Sequence, residues 1–114
     1  SVDPERDTPP KLREYTHFFH PDIIALSGSN AELARFANFF GAAYDRSVII
    51  DKKLFNVPAG INMPEGSGDV YQVNHSTRVF LVNPNGAYNG SFSPPFTTEI
   101  LWDDLKNIVQ NHAI

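Results

Sequence analysis

The chain has 114 residues, of which 41% are hydrophobic and 19% charged. That is the composition of an ordinary folded domain with a single core rather than of a disordered segment. Nine Lys and Arg stand against 13 Asp and Glu, for a net charge of −4, which argues against a nucleic-acid-binding surface because such a surface carries a basic stripe. There is no cysteine, so the chain has no disulfide, thiolate ligand or thiol redox chemistry of its own, and no apolar run approaches the ~20 residues of a membrane-spanning helix.

Residues 1–10, SVDPERDTPP, are dense in Pro and Asp and read as a charged turn that opens a helix. Thr8 is placed to cap it and Pro9 fits its first position, where a missing N–H costs nothing. The helix is predicted to run to about Phe19, with Leu12, Tyr15 and Phe18 on one stripe, and to end before Pro21. Ile23-Ile24-Ala25-Leu26 is a short apolar run with the character of a buried strand. Ser29-Asn30-Ala31-Glu32 forms a capping box. Behind it Leu33, Phe36, Ala37 and Phe40 recur at helical spacing, with Gly41 as the C-terminal cap. On this pattern Phe36, Phe39 and Phe40 are core aromatics.

The segment from Ala42 to Ile50 is weakly extended. Residues 51–69 hold Pro58, Gly60, Pro64, Gly66 and Gly68 and read as a long surface loop, a length that is often functional or mobile. Val70–Asn74 is extended again. Thr77–Val82 and Ala87–Phe92 read as a β-hairpin about an Asn83-Pro84-Asn85-Gly86 turn. Thr97 or Thr98 caps a last helix with a Leu101, Leu105, Ile108 stripe, and Trp102 lies beside that stripe. The order of elements fits an α/β architecture with a mixed sheet.

Three motifs carry a family resemblance. They are SVDPERDTP at 1–9, Tyr71-Gln72-Val73-Asn74-His75-Ser76, and Phe80-Leu81-Val82-Asn83-Pro84-Asn85-Gly86. Together with Ile23–Ser29 they resemble the Sco/SenC family of copper-binding assembly proteins over essentially the whole chain. The resemblance implies an α/β, thioredoxin-like fold. In it, a C-x-x-x-C motif lies upstream of the first motif, and its two thiolates bind one copper ion together with the histidine that is His75 here. Two positions depart from the family pattern. Asn74 stands where the family has Asp before the histidine, and Asn83 where it has the Asp of its D-P-x-G turn. Residues 1–114 are then expected to be the C-terminal portion of a single thioredoxin-like domain, incomplete at the N-terminus. Open strand edges would make this segment alone unstable, or complete it by strand exchange or oligomerisation.

His75 is the candidate metal ligand. A lone imidazole holds copper weakly, so this chain by itself is expected to bind it weakly or not at all. His17 and His20, three apart at the end of a helix, lack an evident third ligand and read as surface residues. His112 has only a favourable position near a helix end. Asp3, Glu5, Arg6 and Asp7 read as a turn fixed by an Arg–carboxylate pair, which holds its loop near the copper site without doing chemistry.

The resemblance implies a copper chaperone for the CuA centre of cytochrome c oxidase. Its partners would be the oxidase subunit that carries CuA and a thiol reductant. It would act on the periplasmic side of the bacterial inner membrane, or in the mitochondrial intermembrane space at the inner membrane. A thiol-disulfide reductase using the same upstream cysteines is the enzymatic alternative. Many such enzymes place a proline against their cysteines, where this chain reads Asn74-His75-Ser76-Thr77. A metal-free interaction module is the third reading.

Overall fold

A computed structural model describes residues 1–111. It contains helix α1 (Pro9–Phe19), helix α2 (Asn30–Phe40), strands β1 (Tyr44–Ile50), β2 (Lys53–Pro58), β3 (Gln72–His75), β4 (Val79–Val82) and β5 (Tyr88–Phe92), and helix α3 (Thr98–Asn111). The chain is thus α/β, as expected. The described strands form two small antiparallel sheets, one ordered β2-β1-β3 and one β4-β5. They fall in two compact units, Ser1–Ser76 and the residues from Thr77 onward.

In the first unit α2 forms as its sequence dictates. The Ser29 side chain accepts from the Glu32 N–H and the Glu32 carboxylate accepts from the Ser29 N–H, a reciprocal cap worth about 1 kcal/mol. Gly41 closes the helix at φ 74°, a left-handed turn that Gly adopts without strain. The sheet begins three residues later. β1 and β2 join through Asp51 and Lys52, both at positive φ (50° and 64°), which is the backbone of a type I′ hairpin turn.

Alternation along β1 puts Tyr44, Arg46 and Val48 on one buried face, with cross-strand partners Phe55 and Val57 on β2 and Val73 and His75 on β3. Val48, Val57 and Tyr71 form the core there, with Ile50, Met63 and Val73 against it. Each such side chain, removed from water, contributes roughly 1.5–3 kcal/mol. The other face carries Asp45, Ser47 and Ile49 with Asn56, Leu54, Asn74 and Gln72.

Several expectations change. The supposed long loop contains β2, and its remainder is tied down by hydrogen bonds described below. Ile23–Leu26 forms no strand and belongs to neither described sheet, and instead of being buried, Ile23, Ile24 and Leu26 are 43%, 82% and 59% exposed. Phe36 and Phe39 are 56% and 67% exposed. In α2 the buried positions are Asn30 and Leu33, and small side chains serve the close approaches. A Cβ built on Gly60 would lie 3.2 Å from the Cβ of Ala34. In α1 the Leu12 stripe forms, but Tyr15 and Phe18 are exposed, Tyr15 edge-on to Phe19 at 5.3 Å. Thr8 occupies the cap position without a side-chain bond.

The second unit follows its sequence closely. The amide oxygen of Asn83 accepts from the N–H groups of Asn85 and Ala87, both at 3.0 Å, and Gly86 at φ 80° completes the turn. Asn therefore does here what the family's Asp would do. Thr97 Oγ1 accepts from the Ile100 N–H at 3.2 Å and caps α3. Leu101, Leu105 and Ile108 are half-buried, whereas Trp102 stays more than half exposed beside Lys106. His112 lies outside the described residues.

Candidate metal-ligand strand

The opening motif folds into a turn in which the Asp3 carbonyl accepts from the N–H groups of Arg6 and Asp7. Ser1 Oγ donates to Asp7 at 2.7 Å and accepts from the Asp3 N–H at 2.9 Å. This aims Asp3 inward, where it is 5% exposed. A buried carboxylate is tolerated only with donors around it. Two supply them: Arg6 through Nε and Tyr71 through its hydroxyl. Arg6 also donates through Nη1 to the carbonyls of Tyr71 (2.8 Å) and Asp69 (3.2 Å), and its guanidinium carbon lies 3.7 Å from the Tyr71 ring centroid. The expected Arg–carboxylate pair is present, and it reaches the residues that lead into β3. Burial, followed by the bond to Asp3 and its charge, pushes the Tyr71 phenol well above its ordinary pKa.

A second network holds the rest of the unit. Glu5 accepts from Asn30 Nδ2 at 2.8 Å and from the Met63 N–H at 3.0 Å. Asn30 also donates to Asn62 at 2.8 Å. Arg46, wholly buried, donates to Asn30 at 3.3 Å, to the Pro58 carbonyl at 2.8 Å and to the Ile61 carbonyl. The 58–63 segment is therefore clamped between the opening turn, α2 and β1. Sequence reasoning missed this network. Asn30 was visible only as part of a capping box, and a lone Arg in a weak strand gives no signal of burial.

His75 ends β3, opposite Tyr44 on β1, and is exposed. Its Nδ1 lies 2.9 Å from the Ser76 carbonyl oxygen. A carbonyl can only accept, so in the neutral ring Nδ1 carries the hydrogen and Nε2 keeps its lone pair. That is the arrangement of a metal-ligating imidazole, with the second nitrogen fixed by a backbone carbonyl.

His20 is disposed the other way, its Nδ1 accepting from the Asp22 N–H at 3.1 Å. His17 and His20 gather no further donors. Among the described residues no group of three or more His, Cys, Asp or Glu could hold a metal ion. His75 is thus one good donor rather than a centre.

Asn74 projects to the opposite face, where its amide donates to Asp45 at 2.7 Å and to Ser47 at 3.1 Å. The bonds from Asn74 and Asn56 hold the Asp45 carboxyl below its ordinary range.

Comparison with known proteins agrees with these motifs. The SCO1/SenC family profile matches residues 1–110. The chain is 27% identical over 106 residues to the mitochondrial SCO2 homolog of Bos taurus, covering 93% of this chain and 34% of that protein. It is 28% identical over 107 residues to an SCO2-like protein of Rickettsia prowazekii, covering 94% and 45%. It is 31% identical over 111 residues to a protein of Stutzerimonas stutzeri named "Putative copper-binding protein", covering 97% and 46%. The chain therefore spans less than half the length of these relatives. No solved structure matches it significantly. With its opening turn, its Tyr71–Ser76 strand and its Asn83–Gly86 hairpin all falling inside the matched region, the chain belongs to the SCO1/SenC family.

Proposed function

We propose that this protein binds copper and acts as a chaperone in assembly of the CuA centre of cytochrome c oxidase. His75 supplies one ligand, and two cysteines of a C-x-x-x-C motif upstream of residue 1 supply the others. The observation that carries the reading is the state of His75: an exposed imidazole, anchored through Nδ1, with Nε2 free at the end of a strand. Family membership and the name of the Stutzerimonas relative support copper as the metal.

The donor chemistry agrees. Soft thiolates favour Cu(I) and imidazole serves both oxidation states. His75 would release its cargo by ligand exchange with a docked acceptor, the oxidase subunit bearing CuA. A thiol reductant would keep the cysteines competent. We place the action on the periplasmic side of the bacterial inner membrane, or its mitochondrial counterpart. The exposed apolar side chains of α1 and of residues 23–26 would be covered by the upstream part of the same domain, or by a second copy of the segment when it is made alone.

The test is His75→Ala in the complete gene product. Copper affinity should fall about a hundredfold or more, since outer-shell partners of metal ligands alone carry roughly 10–100-fold. Unchanged affinity and an unchanged copper spectrum would remove His75 from the site. Thiol reductase activity independent of copper would favour the enzymatic reading.

A further inference from the structure

We infer that Asn74 is a positioning residue of the ligand strand: its carboxamide pins β3 to β1 through Asp45 and so helps to set where His75 stands. This inference rests on the reading of His75 as a ligand.

β3 is only four residues long, and although Ser76 continues the pairing by donating its N–H to the Ala43 carbonyl at 2.8 Å and accepting from the Ala43 N–H through Oγ at 3.1 Å, a ladder that short gains much of its register from side chains. Slipping it by one residue would turn His75 to the other face of the sheet. Asn74 lies directly opposite Asp45 and diagonal to Ser47. Both hydrogens of its amide are used, one on the Asp45 carboxylate (2.7 Å) and one on the Ser47 hydroxyl (3.1 Å). A one-residue slip would carry the amide to the other face of the sheet, away from both acceptors. A carboxylate at 74 could not donate, and it would face Asp45 as a like charge directly across the ladder, an arrangement that weakens pairing.

The departure from the family motif at 74 thereby acquires a physical reason. The negative charge is carried on β1 by Asp45, and β3 carries the amide that binds it. The pair should then be exchangeable: an amide at 45 and a carboxylate at 74 would make the same bond in reverse.

The experiment compares Asn74→Asp, Asn74→Ala and the swap Asp45→Asn/Asn74→Asp in the complete gene product. Two quantities are read: amide hydrogen exchange at residues 72–75 in the metal-free protein, and copper affinity with copper as the probe. N74D should speed exchange and weaken copper binding by roughly fivefold each, the scale of a like-charge cross-strand pair. N74A should do so less, and it covers the case in which N74D does not fold. The swap should bring both quantities back to within about twofold of wild type. If exchange is unmoved in N74D and N74A, or if the swap fails to restore it, the inference is wrong. If exchange responds and is restored but neither these variants nor His75→Ala touches copper binding, the pin stands and the ligand reading falls.

Discussion

Replacing Arg6 with alanine tests whether the opening turn holds the residues that lead into β3. The substitution removes a charged hydrogen bond to the buried Asp3, worth about 1.5–3 kcal/mol, and two bonds to carbonyls at about 1 kcal/mol each. It also removes a guanidinium–ring contact worth about 0.5–1 kcal/mol. The Arg6 side chain is 30% exposed, so the lower ends apply, and the terms share one side chain and do not simply add. A net loss of about 3 kcal/mol follows, much of it the penalty of leaving Asp3 buried with one donor fewer. With a urea slope of about 1.5 kcal/mol/M, the unfolding midpoint should fall by about 2 M. Arg6→Lys should recover less than half of the loss, because an ammonium can meet Asp3 but cannot fork to both carbonyls. A midpoint shift below about 0.3 M for Arg6→Ala, or full stability for Arg6→Lys, would refute the reasoning.

Two further outcomes follow from the same unit. Replacing Asp51-Lys52 with Asn-Gly should stabilise the β1–β2 hairpin by up to about 1 kcal/mol, since both residues sit at positive φ, read by the urea midpoint. For Tyr71, burial and its bond to Asp3 raise the folded pKa above the unfolded value of 10.0. The stability this gives is complete below pH 10 and is lost as pH rises toward the folded pKa. Tyr71→Phe should lose about 1–2 kcal/mol at neutral pH, and its stability should change less steeply than wild type above pH 10 in alkaline denaturation.

The elements legible in the sequence are those whose signals are local. The Ser29–Glu32 cap, Gly41, the Asn83–Gly86 turn and the α3 stripe each lie within a few residues, and each is found where the sequence puts it. β2 was not legible. Its turn is Asp51-Lys52, outside the usual Asn-Gly vocabulary of type I′ hairpins, and the prolines and glycines after it give the whole stretch the look of a loop. Ile23–Leu26 shows the converse, because an apolar run predicts burial and extension but does not supply a ladder partner. Of the candidate site, the Arg6 pair was visible from charge, and the motif singled out His75 as the candidate ligand. The joins from Arg6 to Tyr71, from Arg46 to Asn30 and from Asn74 to Asp45 were not, because each depends on which distant residue the fold brings alongside.

The knot of Asp3, Arg6 and Tyr71 also bears on the order in which the molecule assembles. The bonds that tie Asp3 and Arg6 to Asp69 and Tyr71 span 63 to 68 positions, whereas the β1–β2 hairpin closes over two. Each doubling of a flexible loop adds about 0.6 kcal/mol of closure entropy, so contacts spanning such stretches form after local ones have organised the chain. The hairpin is accordingly an early structure, and the seat of His75 is completed near the end of folding. If His75 ligates copper as proposed, metal offered to a half-folded chain would meet an imidazole not yet set in place, and maturation of the polypeptide would precede loading.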